Sequence, residues 1–161
     1  YPEWAPFDRS EGRPVHNDRG PAVMAQTTKG SGTKDVLANG NEIIKTANHF
    51  VVILGDKPEK ALMSLKTTQL KTSRGWNSLM DNEMITSSTG KSIPAPAFSR
   101  VYKINSVENT GNFTWHGMTV NLVRPVDNAE IYSMAKDFNN ALQKSNVAAA
   151  SVETNTEESN Y

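Results

Sequence analysis

The longest unbroken apolar run in this chain is five residues, Phe50–Leu54 (FVVIL), which is the length of a strand. A membrane-spanning helix needs about 18 apolar residues in succession, so none is expected here. No charged-then-apolar leader opens the chain, and no signal peptide is expected, although the first residue is Tyr1 and not methionine. What remains is a water-exposed chain of 161 residues built from short elements, long enough for one domain with its own core.

Punctuation by glycine and proline divides that chain. Residues 1–35 read as an irregular N-terminal arm, packed on the domain or extending from it. Pro2, Pro6, Pro14 and Pro21 break helices there, and Gly12, Gly20, Gly30 and Gly32 interrupt the rest. Trp4 and Phe7 suggest that the start of the arm docks on something. Asn39-Gly40 marks a tight turn. After it, Glu42–Leu54 reads as a long strand and Ala61–Thr67 as its hairpin partner, with Leu62, Ser64 and Lys66 on one face and Met63 and Leu65 on the other.

Thr68 is placed to cap a short helix running from Gln69 to about Met84, in which Trp76, Leu79 and Met80 share one stripe and Lys71, Arg74, Gly75 and Ser78 another. Ser87–Pro96 reads as a loop, and Ser99–Val107 and Phe113–Val123 as a second hairpin. Asp127 and Glu130 have capping-box spacing before a helix over residues 128–144. Residues 147–161 are acidic and poor in large apolar side chains, the composition of a disordered tail. This order predicts a mainly β domain over residues 36–146, an OB-fold-like small antiparallel barrel with one inserted short helix and a C-terminal helix. A plain α+β sandwich satisfies the same pattern.

Composition removes several chemistries. With no cysteine there is no disulfide framework, thiolate metal site or cysteine nucleophile. His16, His49 and His116 have no histidine at ligand spacing, and Asp18 near His16 is the only hint of a metal pair, so no metal is assigned. Lys29–Lys34 (KGSGTK) lacks phosphate-loop spacing, and no G-x-S-x-G motif is present. No catalytic residue and no cofactor are expected. The net charge of zero is uneven: residues 1–150 hold 17 basic and 14 acidic residues, a net +3. Lys57–Lys103 holds eight basic residues against three acidic, a net +5. A basic middle followed by an acidic tail fits a polyanion binder and also fits ordinary surface variation.

Basic and aromatic side chains interleave on the predicted strands. Arg100, Tyr102 and Lys103 share one strand; Phe113 and Trp115, two residues apart, share a sheet face on the next. Single-stranded nucleic acid is bound in this manner, by flat rings stacking on bases while cations neutralise phosphates. The same two aromatics equally suit a core.

The segment Met63–Met80 (MSLKTTQLKTSRGWNSLM) resembles a family of tailed-phage single-stranded DNA-binding proteins, in which M-K-[ST]-[ST]-Q-L-K runs into K-x-x-R-x-W-N-S-L-M. Thr67 to Lys71, Arg74 and Trp76 to Met80 match, while Ser64-Leu65 displaces the lysine to Lys66. Glu3–Pro6 is similar to an E-W-A-P motif, and Trp115-His116-Gly117 to a W-Y-G-W turn without its second aromatic; the likeness extends from Glu3 to about Leu142. The resemblance implies an OB-fold and sequence-independent binding of single-stranded DNA in phage replication or recombination, in the cytoplasm of the infected bacterium. Lys66, Lys71, Arg74, Arg100 and Lys103 would then contact phosphates, and Tyr102, Phe113 and Trp115 would stack bases. Glu153, Glu157, Glu158 and Tyr161 in the tail would recruit replication proteins. No membrane is involved, and a homo-oligomer is compatible. The competing class is a virion structural or protein-interaction module that does not bind DNA.

Overall fold

A computed structural model describes residues 1–32, 34–111 and 114–157, with side chains described as far as Ser145. The architecture is mainly β with two α-helices and short 3-10 turns. The strands pair in one four-stranded sheet and three two-stranded ones, all open; no closed barrel is formed among the described residues. No helix among them is long and apolar enough to cross a membrane. The contacts group into two compact units, one comprising Tyr1–His49, Met63–Arg74 and Val107–Met118, the other Phe50–Leu62, Gly75–Ser106 and Thr119–Tyr161. Residues Tyr1–His49 thus belong to a compact unit together with Met63–Arg74 and Val107–Met118.

In the first unit, the proline-rich start is folded. Strands β1 (Glu3–Trp4), β2 (Thr28–Lys29), β3 (Asp35–Val36) and β4 (Glu42–Ile43) form the sheet in the order β1-β4-β3-β2. Glu3 pairs with Ile43 and Trp4 with Glu42; Asp35 pairs with Ile43 and Val36 with Glu42. Paired residues point to the same side. One face therefore carries Glu3 and Ile43, which are 2% and 3% exposed. The other carries Trp4, Glu42 and Val36, all half-buried. Val23, on a 3-10 helix opened by Pro21, joins Leu37 and Ile43 in the core, with Tyr1 and Met24 packed against them.

The Asn39-Gly40 turn forms as expected: Gly40 has φ 83°, its amide donates to the Leu37 carbonyl at 2.9 Å, and the Asn39 side chain accepts from the Asn41 amide at 2.9 Å. A glycine takes that left-handed conformation without steric cost. The long strand predicted over Glu42–Leu54 is broken at Ile44-Lys45. β4 belongs to the four-stranded sheet, where the Ile44 amide donates to the Pro2 carbonyl at 3.1 Å, and β5 (Thr46–Ile53) pairs instead with β6 (Glu59–Lys66). On β6, Leu65 is 1% exposed and Met63 half-buried, while Leu62, Ser64 and Lys66 are exposed, as the alternation predicts.

The second unit holds the hairpin of β7 (Met84–Thr86) and β8 (Ser92–Pro94); β8 lies in the stretch Ser87–Pro96 read as a loop, and β7 begins where the short helix was expected to end. Its turn is closed by Ser87, whose carbonyl accepts from the Gly90 amide at 2.9 Å and whose amide donates to the Lys91 carbonyl at 2.8 Å. The strands are only three residues long, too short for alternation to show. α1 (Leu70–Asp81) buries Trp76 edge-on against Tyr102, with ring centroids 5.7 Å apart. β9 (Arg100–Thr110) and β10 (Thr114–Pro125) form the second long hairpin.

α2 (Ala129–Glu157) packs Phe138 edge-on to Phe50 at 5.9 Å and Tyr132 to Phe98 at 5.4 Å. Its N-cap is Asn128, whose side chain accepts from the Glu130 and Ile131 amides at 2.9 and 3.1 Å; Asp127, the residue expected to cap, pairs with Arg124. The helix was expected to end near Lys144, with a disordered tail beyond. Its backbone continues to Glu157, because Val147–Ser151 (VAAAS) contains strong helix formers and neither glycine nor proline.

Candidate nucleic-acid interface

The basic segment that begins at Lys66 is built on an abrupt change of backbone direction. Lys66 ends β6, and Thr67 follows with φ 53°, in the left-handed region. A β-branched residue rarely adopts it, and the strain is worth about 1–3 kcal/mol. Residues Thr67–Gln69 form a 3-10 turn that leads into α1, so Thr68 lies within this turn and does not cap the helix. The Gln69 side chain accepts from the Lys66 amide at 3.4 Å.

Helical spacing then sorts α1. Ser73 and Trp76 point inward, 3% and 5% exposed, while Lys71 and Arg74 are exposed. The inward face is held by hydrogen bonds as well as packing: Thr72 Oγ1 donates to the Met118 carbonyl at 2.8 Å, and Ser73 Oγ lies 2.8 Å from His49 Nε2. Burial pushes the His49 imidazole below its ordinary pKa. The Thr72 bond ties α1 to β10, where Trp115, three residues before Met118, is 41% exposed. Thus Lys66, Lys71, Arg74 and Trp115 lie in one unit, and each offers its side chain to solvent.

The β9 residues are placed differently. Arg100 is committed to the protein. Its Nε donates to Glu83 Oε2 at 2.7 Å, Nη1 to Ser99 at 3.3 Å and Nη2 to the Met84 carbonyl at 3.4 Å, and the side chain is 11% exposed. A guanidinium so occupied is a brace for the β7–β8 hairpin, and the phosphate contact expected of it is withdrawn. Tyr102 also departs from expectation, since its ring packs on Trp76 and its hydroxyl is buried with no hydrogen-bond partner among the described residues. Burial, reinforced by Glu83, raises its pKa. The side chain is half-buried, with one edge of its surroundings supplied by Trp76. Lys103 is exposed in the second unit. Phe113, Glu158 and Tyr161 lie outside the described residues, and Glu153 and Glu157 fall on the last turns of α2.

Sequence reasoning missed a polar centre in the first unit. The Glu3 carboxylate is buried on the inner face of the sheet. Oε1 accepts from the Asn41 and Asn39 side chains at 2.5 and 3.2 Å; Oε2 lies 3.4 Å from Arg19 Nε and 3.9 Å from His16 Nε2. The Asn41 hydrogen bond, more than any other contact, holds its pKa below the ordinary glutamate value, against the opposing effect of burial. The clue available in the sequence was a glutamate inside an aromatic, proline-flanked stretch. Asp18, the other residue considered near His16, accepts from the Gly20 amide at 2.9 Å. Among the described residues no cluster of three or more histidines and carboxylates could hold a metal ion.

The class defined so far is a mainly β protein of two small units, with the exposed cations Lys66, Lys71 and Arg74 in the first. Residues 1–148 match the family model described as Pam3 phage gp34-like protein, and the chain belongs to that family. The family's name places the chain among bacteriophage proteins. No curated protein and no solved structure matches it.

Proposed function

We propose that this chain binds single-stranded DNA without sequence preference, through the first unit, during phage replication or recombination in the bacterial cytoplasm. The observation that carries this reading is the sorting on the Lys66–Trp76 segment. Lys66, Lys71 and Arg74 face water and Trp76 is buried, in a seventeen-residue stretch, Ser64–Met80, without a carboxylate. Such a strip neutralises phosphates, and Trp115 supplies a nearby class of contact, base stacking, worth about 1–3 kcal/mol per base. On this reading the C-terminal acidic residues recruit replication partners, and no cofactor is required. An OB-like closure of the hairpins is part of the same proposal.

The test is a fluorescence-anisotropy titration of the full chain with a labelled poly(dT) 30-mer across a salt series, with duplex DNA as the control. Each phosphate contacted on a single strand adds about 0.7 to the slope of log affinity against log salt. Replacing Lys66, Lys71 and Arg74 together by alanine should therefore lower that slope by about 2. Absence of binding at low salt would overturn the proposal.

A virion interaction module is the second reading, favoured by one observation. Phe50, Ile53, Leu62 and Val123 on the long hairpins are more than half exposed, at 52, 55, 54 and 53%. Apolar side chains left this exposed on strands are of the kind that other proteins cover when they form a continuous patch. That reading predicts salt-insensitive self-association by sedimentation velocity, and no affinity for poly(dT).

A further inference from the structure

We propose that Trp4, on the face of the four-stranded sheet opposite Glu3, stacks a nucleobase of the bound strand, in the position that the Lys66 ammonium occupies in the free protein. This rests on the function proposed above and adds a binding residue to it.

Three observations converge on Trp4. The first is the sheet register. Glu3 and Ile43 fill the inner face, so the side chain of Trp4, next along β1, lies on the opposite face beside Glu42 and Val36, half-buried with its indole nitrogen enclosed. Second, the ring is held in place. Its strand is pinned by the Glu3 amide donating to the His16 carbonyl at 2.9 Å and by the buried Glu3 carboxylate one residue away. A platform fixed in this way loses little freedom when a base settles on it. Third, the Lys66 Nζ sits 5.1 Å from the ring centroid, so the ring is met by the charged tip of an exposed side chain.

A cation–π contact made by an exposed lysine is weak, so a ligand that serves both groups can displace it. An aromatic base offers the indole a larger flat surface, and the phosphate beside that base offers the ammonium a stronger partner. Exchange therefore satisfies both groups at once: the base takes the ring and Lys66 moves to the backbone. Lys34, paired with Glu42 Oε2 at 2.8 Å, offsets the negative charge beside Trp4 on the same face. Trp4 and Lys66 belong to the same compact unit, so the exchange needs only a side-chain movement of the lysine.

The experiment compares Trp4→Leu and Trp4→Phe with the unaltered chain, using anisotropy with labelled poly(dT) 30-mer and with an abasic 30-mer that keeps the phosphates and lacks the bases. Stacking predicts that Trp4→Leu weakens poly(dT) binding by about 5- to 150-fold. It also predicts that Trp4→Phe weakens binding less, and that the salt slope and the abasic affinity stay unchanged. If Trp4→Leu loses both ligands equally, Trp4 is structural and the inference falls. If the unaltered chain binds poly(dT) and Trp4→Leu binds it just as well, the inference falls while the proposed function stands. If the unaltered chain binds neither oligonucleotide, both fall.

Discussion

Replacing Trp76 by alanine is expected to destabilise the protein by about 3–5 kcal/mol, the range for deleting a buried indole. Trp76 is 5% exposed, and its ring meets Tyr102 edge-on with centroids 5.7 Å apart. The loss combines apolar surface returned to water, the cavity left behind, and an aromatic pair worth about 0.5–1.5 kcal/mol beyond its area. In a chain of 161 residues this corresponds to a fall in Tm of about 6–20 °C. Trp76→Phe preserves most of the packing and should lose much less. Urea unfolding followed by far-UV circular dichroism checks the size: the midpoint should fall with the slope unchanged. A change below about 1 kcal/mol would mean that the indole is not packed as described.

Glu3→Ala should cost about 2–4 kcal/mol, for a different reason. The carboxylate is buried yet serves Asn41, Asn39, Arg19 and His16 together. Removing it strands two amide donors and leaves Arg19 without its counter-charge. The Arg19 side chain is 35% exposed, so water offsets part of that loss. Glu3→Gln keeps an acceptor oxygen and should fall between the two.

The pH dependence has a definite sign. The folded-state pKa of Glu3 lies below the ordinary value of 4.5, chiefly because of the Asn41 hydrogen bond. Its contribution to stability is therefore fully present above pH 4.5 and disappears as pH falls through the lower, folded-state value. His49 acts earlier in an acid titration. Its pKa is lowered by burial, so the folded state resists the proton and stability begins to fall as pH drops below the ordinary value of 6.5. Stability measured from pH 8 down to pH 3 should decline in both ranges in the unaltered chain. In Glu3→Gln the lower decline should be reduced and the upper one retained. An identical profile in the two proteins would remove Glu3 from this role.

The elements legible in the sequence were those with a strong local period. The stripe of Trp76, Leu79 and Met80 and the outward Lys71 and Arg74 follow from 3.6-residue geometry, and α1 places them as that geometry requires. The alternation on β6, the Asn39-Gly40 turn and the existence of α2 were readable for the same reason. β1 to β3 were not. Each is two residues long, too short to show a period, and β1 exists only because β4, far along the chain, supplies its hydrogen bonds.

The candidate interface divides along the same line. Lys66, Lys71 and Arg74 were recognisable as an acid-free basic segment, and their exposure agrees with it. Arg100 and Tyr102 looked equivalent in a one-dimensional pattern, but Glu83 and Trp76 occupy them, and both partners are more than fifteen residues away. Trp4 appeared only as an aromatic in an irregular arm. Its placement on the face opposite Glu3 depends on the register with β4, and its ammonium neighbour is Lys66, far along the chain.

By itself the sequence determined that α1, α2 and the two long hairpins exist, where the Asn39-Gly40 turn falls, which helix face is basic and that the chain holds no thiol. Each of these follows from short-range sterics, periodic burial or composition. Only the tertiary structure decided that the first 49 residues belong to a folded unit, that Glu3 is its buried polar centre, and which cations and rings are exposed. Those outcomes turn on pairings between residues far apart in the chain, and local propensity carries no information about a partner's position.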